Sequence, residues 1–180
     1  MKKHIQIIVG ILMLLASSHL FAQSNSDVVK TLTQSLRSHK NLEVSFTYQT
    51  ISDASQPEEA KQGTAYIQGD AYKFIMEDQH AISDGKTTWH YIVEDEEVMV
   101  GEATDDDNPY KILDNLERDS SGLSPIIDKK GDLKALEIEL DEGVKLVLNI
   151  TEMKFDQDFK EGFFTFDKKA YPNVDIIDMR

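Results

Sequence analysis

The chain has 180 residues, 33 of them acidic against 19 basic, for a formal charge of −14 at neutral pH. That length suits one domain with a real core, and the charge argues against nucleic acid and against anionic membrane surfaces as partners. There is no cysteine, so no disulfide can brace an exported form and no acylated thiol can anchor it.

In chain order, Lys2 and Lys3 form a positive leader. Ile5–Leu15 is an apolar run of eleven residues, and Leu20-Phe21-Ala22 ends it with small and apolar residues. Residues 1–22 read as a signal peptide cleaved before Gln23, since the run is too short to span a bilayer comfortably. Residues 23–180 are then a single exported domain. Ser24–Ser38 reads as an amphipathic helix with a capping-box spacing from Ser24 to Asp27 and an apolar stripe of Val28, Val29, Leu32 and Leu36. From Leu42 to Thr50 the period changes to two. Leu42, Val44, Phe46 and Tyr48 share one face of a half-buried strand. Residues 52–61 are a polar connection.

From Gly63 to Val93 four short runs of β-branched and aromatic residues alternate with turn dipeptides. Gly69-Asp70 and Asp84-Gly85 mark hairpins, Asp-Gly being suited to a type I′ turn with positive φ at both central residues. One parity carries the bulk in each strand: Tyr72, Phe74 and Met76, then Trp89, Tyr91 and Val93. Residues 94–97 form an acidic turn and Val98-Met99-Val100 a further strand. Asp105–Asp107 then precede Asn108-Pro109, an N-cap followed by Pro at the first helical position. Tyr110, Ile112, Leu113 and Leu116 make a short apolar ridge that ends at Ser120-Ser121-Gly122. The sheet resumes with Leu136, Ile138 and Leu140, then Val144, Leu146, Leu148 and Ile150 across a hairpin loop at 141–143. Met153–Phe159 and Phe163–Phe166 read as further strands, and Val174–Met179 closes the chain.

A sheet of roughly ten or eleven strands must curl or close. The expected fold is mainly β: an incompletely closed antiparallel β-barrel, with the N-terminal helix and the short central helix laid over its concave side as a lid. Val44, Phe46, Tyr72, Phe74, Met76, Trp89, Tyr91, Leu146 and Leu148 are then the inner wall. Val28, Leu32, Leu36, Ile112, Leu113 and Leu116 are the inward stripe of the lid. A tightly packed barrel without a cavity has the same pattern, so both readings stand on periodicity alone.

Catalysis is hard to assemble from these residues. His39 sits at a helix end, and His80 and His90 lie within strands, at no metal-ligand spacing. Neither a Gly-x-Ser-x-Gly elbow nor a phosphate loop occurs. The Asp105–Asp107 run fits helix capping better than calcium. No enzyme activity, cofactor or metal is expected. Apolar surface under a movable cover points instead to the transport of something greasy through water.

Four stretches resemble the outer-membrane lipoprotein carrier family, the LolA-like periplasmic chaperones, in the form found in Bacteroidetes. They are Asn41–Gln49 after the helix, Gly63–Ile67 through Phe74, Ile82–Tyr91 with its SDGKTTW run, and Phe164–Phe166 followed by Pro172–Arg180. The SDGKTTW run is the most specific. The resemblance implies a periplasmic monomer that takes acylated lipoproteins from an inner-membrane lipoprotein-releasing transporter to an outer-membrane acceptor. By position, Phe74 and Met76 match an aromatic pair of the family. The family's Arg-Pro pair, associated with holding the lid, is absent: the matching residues are Gln68-Gly69-Asp70. The other readings left open are a lipid-binding or lipoprotein-sensing module of the same fold, and a structural or protein-binding β domain with no cavity.

Overall fold

The long strand that follows the first helix anchors the sheet. In the computed structural model, which describes residues 25–52, 59–119, 121–128, 133–140 and 143–180, helix α1 spans Asn25–Ser38 and strand β1 spans Leu42–Ser52. The strict alternation of apolar and polar residues in β1 buries Leu42, Val44, Phe46 and Tyr48 on one face. A meander of β2 (Lys61–Gln68), β3 (Ala71–Met76), β4 (Gln79–Ser83), β5 (Thr87–Ile92) and β6 (Glu97–Glu102) builds outward from one edge of β1. The chain then passes through one 3-10 turn at Asp105–Asp107 and helix α2 (Pro109–Arg118). It returns as β7 (Leu123–Ile127), β8 (Leu133–Glu139) and β9 (Val144–Phe155), which builds inward to the other edge of β1.

The ten strands form one sheet in the order β10-β6-β5-β4-β3-β2-β1-β9-β8-β7, where β10 is Asp175–Asp178. Among the described residues β10 and β7 do not pair, so the sheet curls without closing. The expected incomplete barrel with helices is therefore present. A register shift between Ser45 and Phe46 leaves Thr151 opposite no residue of β1. Such a bulge increases local twist and lets long strands coil.

Four local expectations are corrected. Met153–Phe155 is the end of β9 and not the start of a further strand, because the bulge at Thr151 lets one strand continue along all of β1. Phe163–Phe166 is a run of turns, not a strand. Gly162 has φ +76° there, and Thr165 Oγ1 donates to the Gly162 carbonyl at 2.6 Å, which bends the chain out of the extended state. The sheet is also not wholly antiparallel. After β9 the chain crosses back over the sheet and joins β6 from outside, and β10 runs parallel to it, pairing Ile176 with Val98 and Asp178 with Val100. Finally, the Asp84-Gly85 turn is not type I′: Gly85 has φ +86°, and Asp84 lies outside the positive-φ region. The Asp84 carboxylate organises a wider loop by accepting from the Lys86 and Thr87 amides at 2.9 and 2.8 Å. Residues 1–24, where the signal peptide and the start of the first helix are expected, and the 53–58 connection lie outside the described residues.

Candidate functional site

Directly opposed residues of neighbouring strands share a face. The register therefore sorts the predicted wall residues without ambiguity. Val44, Ala65, Phe74 and Ala81 form one row across β1 to β4, and Phe46, Gly63 and Met76 form the next. Tyr72 lies beside Phe74 on the same face, with ring centroids 5.4 Å apart. Leu146 and Leu148 reach this face from β9, opposite Thr50 and Tyr48. Large and small side chains alternate, so Phe74 fits against Ala65 and Ala81. Phe46 fits over Gly63, where a Cβ would sit 2.4 Å from the ring.

Both helices cover this concave face. Val28 and Val29 of α1 are buried in the same cluster as Val44, Phe46, Tyr72 and Phe74, and Tyr110 and Ile112 of α2 pack against it. Val44 and Phe74 have no exposed surface and Tyr72 is 2% exposed, so the cover is shut. The side chains of Leu32, Leu36, Leu113 and Leu116, the remainder of the predicted lid stripe, lie outside the described residues. Burial, and secondarily the Asp107 carboxylate, push the Tyr72 phenol well above the ordinary tyrosine range. The Tyr72 phenol therefore stays neutral within an otherwise apolar row. Toward the rim, Tyr48 donates to the Asp78 carboxylate at 3.0 Å, and Lys61 reaches the same carboxylate at 3.2 Å.

The cover is held by polar contacts around its margin. Arg37 of α1 pairs with Asp114 of α2, and its guanidinium lies 5.4 Å from the Tyr110 ring centroid. Thr33 bonds Glu117 across the same helix pair. Asn108 caps α2 by accepting from the Tyr110 and Lys111 amides, while its Nδ2 donates to Asp70 at 2.8 Å. Thus the β2–β3 turn does hold α2, through an acid and an amide where the family resemblance places an arginine. Just past the C-terminal end of α1, Asp156 accepts from the Lys40 amide at 2.8 Å and contacts His39 Nδ1 at 2.9 Å. Exposed pairs of this kind contribute little individually, so the margin is a weak seal on an apolar interior.

Two predicted wall residues lie elsewhere. Trp89 opposes Ile82 and Tyr91 opposes His80, which places both on the convex face, away from Phe74. The reading by bulk failed because β5 carries its large residues on the parity that faces outward. They are covered there by residues 156–174, which run from the end of β9 across the outside of the sheet to β10. Tyr91 packs with Phe166 and Tyr171 at centroid distances of 5.9 and 4.9 Å, and Trp89 joins the same small cluster. The two strand histidines also separate: His80 faces outward with Tyr91, and His90 faces inward opposite Ala81.

This strap is the feature that sequence reasoning missed. Phe159 stacks on Phe163, Phe164 meets both edge-on, and Phe159 and Phe163 also pack edge-on against Tyr66 of β2. Consecutive apolar residues at Phe163 and Phe164, flanked by Gly162 and by Pro172-Asn173, were the available signal for an irregular covering segment rather than an alternating strand. Between strap and sheet lies a groove of about 360 Å³. A second cleft, about 440 Å³, opens beside the bulge and touches Phe46 and Met76 at the edge of the covered core.

No family model matches the chain, and no curated protein matches it. Solved structures of similar shape include an uncharacterized conserved protein from Thermus thermophilus, 7% identical over 78% of this chain and 91% of that one, at a TM-score of 0.46. A LolA superfamily protein from Nitrosomonas europaea is 10% identical over 71% of this chain and 91% of that one, at a TM-score of 0.43. A DUF1329 family protein from Desulfovibrio piger is 9% identical over 93% of this chain and 98% of that one, at a TM-score of 0.39.

Proposed function

We propose that this protein is a periplasmic chaperone that binds the acyl chains of lipoproteins on its concave face and carries them from the inner to the outer membrane. The observation that carries the reading is the continuous apolar face of Val44, Phe46, Tyr72, Phe74, Met76, Leu146 and Leu148, roofed by two helices whose margin is sealed by surface polar contacts. A buried methylene contributes about 0.8 kcal/mol, so an acyl chain of about 16 carbons offers on the order of 10 kcal/mol of gross driving force. The helices bury their own apolar residues on the same face when empty. Cargo must displace that packing, which lowers net affinity and keeps release possible. Binding, not bond-making, is the work assigned to this site. An inner-membrane releasing transporter would supply cargo and an outer-membrane acceptor would take it, the acceptor holding the acyl chain more tightly.

A photo-crosslinking residue placed at Phe74 in the full chain tests the proposal in cells. Acylated proteins trapped from Phe74 but not from the same probe at Trp89 are the expected result, because the two positions lie on opposite faces. Equal trapping from both, or none from Phe74, overturns the proposal. Free lipid without attached protein at Phe74 would favour a lipid-binding or sensing module on the same face.

A further inference from the structure

The convex groove under the strap is separate from the acyl face and has the make-up of a ligand site of its own. Its apolar lining comes from both sides: Ile75 and Ile82 from the sheet, Phe163, Phe166 and Tyr171 from the strap. Its volume of about 360 Å³ falls in the range of small-molecule pockets. Its charged and hydrogen-bonding lining includes three groups from the sheet and strap, Lys73, His80 and Tyr171, and one carboxylate, Asp167 of the strap. Lys73 of β3 is half-buried, with its ammonium 5.0 Å from the Phe163 ring centroid. His80 of β4 is buried and sits diagonally across the strand pair from Lys73. The Tyr171 hydroxyl lies 3.4 Å from His80 Nδ1.

The electrostatics of the groove favour an anion, although the chain as a whole is strongly acidic. Among the described residues no carboxylate lies within 4.0 Å of the Lys73 ammonium, and unlike the exposed lysines that also have no ion pair, Lys73 is half-buried. Burial pushes Lys73 down from the ordinary lysine range. Burial, and then Lys73 itself, push His80 below the ordinary histidine range. Asp167 of the strap also lines the groove and offsets part of the effect of burial on Lys73, but it is exposed, lies beyond 4.0 Å of the ammonium, and its Oδ1 already accepts from the Lys169 amide at 2.9 Å. A cation held in an apolar groove without a close counter-ion is stabilised by any anion that brings its own apolar surface.

We propose that this groove binds a monocarboxylate with an apolar body, such as a medium-chain fatty acid, its carboxylate on Lys73 and its body between Ile82 and the Phe163, Phe166 and Tyr171 rings. The Tyr171 hydroxyl completes the head-group site by donating to the second carboxylate oxygen. Because the strap ties β9 to the β10 edge, a ligand here also clamps the C-terminal segment onto the sheet.

Decanoate titrated into the full chain by calorimetry is the test. Saturable binding with a phase that depends on Lys73 is expected. Lys73→Met, which keeps the aliphatic stem, should weaken it at least about tenfold, and Lys73→Arg should restore most of it. Asp167→Asn should tighten it, and decanol should bind at least about tenfold more weakly than decanoate. Chemical-shift changes in the unsubstituted protein should fall on Lys73, His80, Phe163 and Tyr171 and saturate there independently of any change at Val44 and Phe74, a readout that needs no variant to fold. The proposal is overturned by absence of saturable binding, by equal affinity for decanol, by Lys73→Met binding unchanged, or by shifts confined to the concave face.

Discussion

Replacing Gly63 by alanine probes how tightly the covered face is filled. Gly63 opposes Phe46 across β1 and β2, and the ring lies over its Cα. An added Cβ would sit 2.4 Å from Phe46 Cζ and 2.6 Å from Cε2, against 3.4–4 Å for ordinary contact. The ring must therefore retreat by about 1 Å in a close-packed interior. Phe46 is 2% exposed, and it packs against Tyr48 with centroids 6.1 Å apart, so it has little room to do so. Overpacking of this kind costs about 1–3 kcal/mol. Removing a glycine from a strand interior returns about 0.5–1 kcal/mol. Contacts this short place the overpacking in the upper part of its range, about 2–3 kcal/mol, so the expected net loss is about 1–2.5 kcal/mol, read as a urea midpoint lower by about 0.5–1 M at unchanged slope. Phe46→Leu should relieve the clash, so the double variant should be more stable than the sum of the two single effects by at least about 0.5 kcal/mol. A Gly63→Ala protein as stable as the parent, or strict additivity with Phe46→Leu, would refute the packing argument.

Two further outcomes follow from the margin of the cover and from the groove. Asn108→Ala removes both the cap of α2 and its bond to Asp70, and should destabilise α2 by about 0.5–2 kcal/mol; an apolar dye should then bind the empty protein more readily, and unchanged dye binding would show that this contact does not hold the cover. His80 is kept neutral by burial and by Lys73, so the unfolded chain takes up a proton that the folded chain refuses. Stability should accordingly fall as pH drops below about 6.5, and His80→Gln should flatten that part of the profile. A profile identical in the variant would place the pH dependence elsewhere.

Much of this protein can be read along the chain. Alternation in β1 announces Leu42, Val44, Phe46 and Tyr48 as one buried face, because side chains of a strand alternate whatever surrounds it. Asn108-Pro109 announces the start of α2, because the cap needs only its own next residues. These signals are local, and the structure keeps them. The inward face of β5 is of another kind. Trp89 and Tyr91 are the bulkiest residues of their strand, and periodicity shows only that they lie on the same side. Which side is decided by the register of β5 against β4, where a shift of one residue would exchange the two faces. What makes the outward choice stable is a segment far later in the chain, the strap carrying Phe166 and Tyr171. Residue order thus determined the strands, the caps and the apolar parity of each. Only the assembled sheet decided that the protein has two apolar faces, since that depends on where a distant stretch of chain comes to rest.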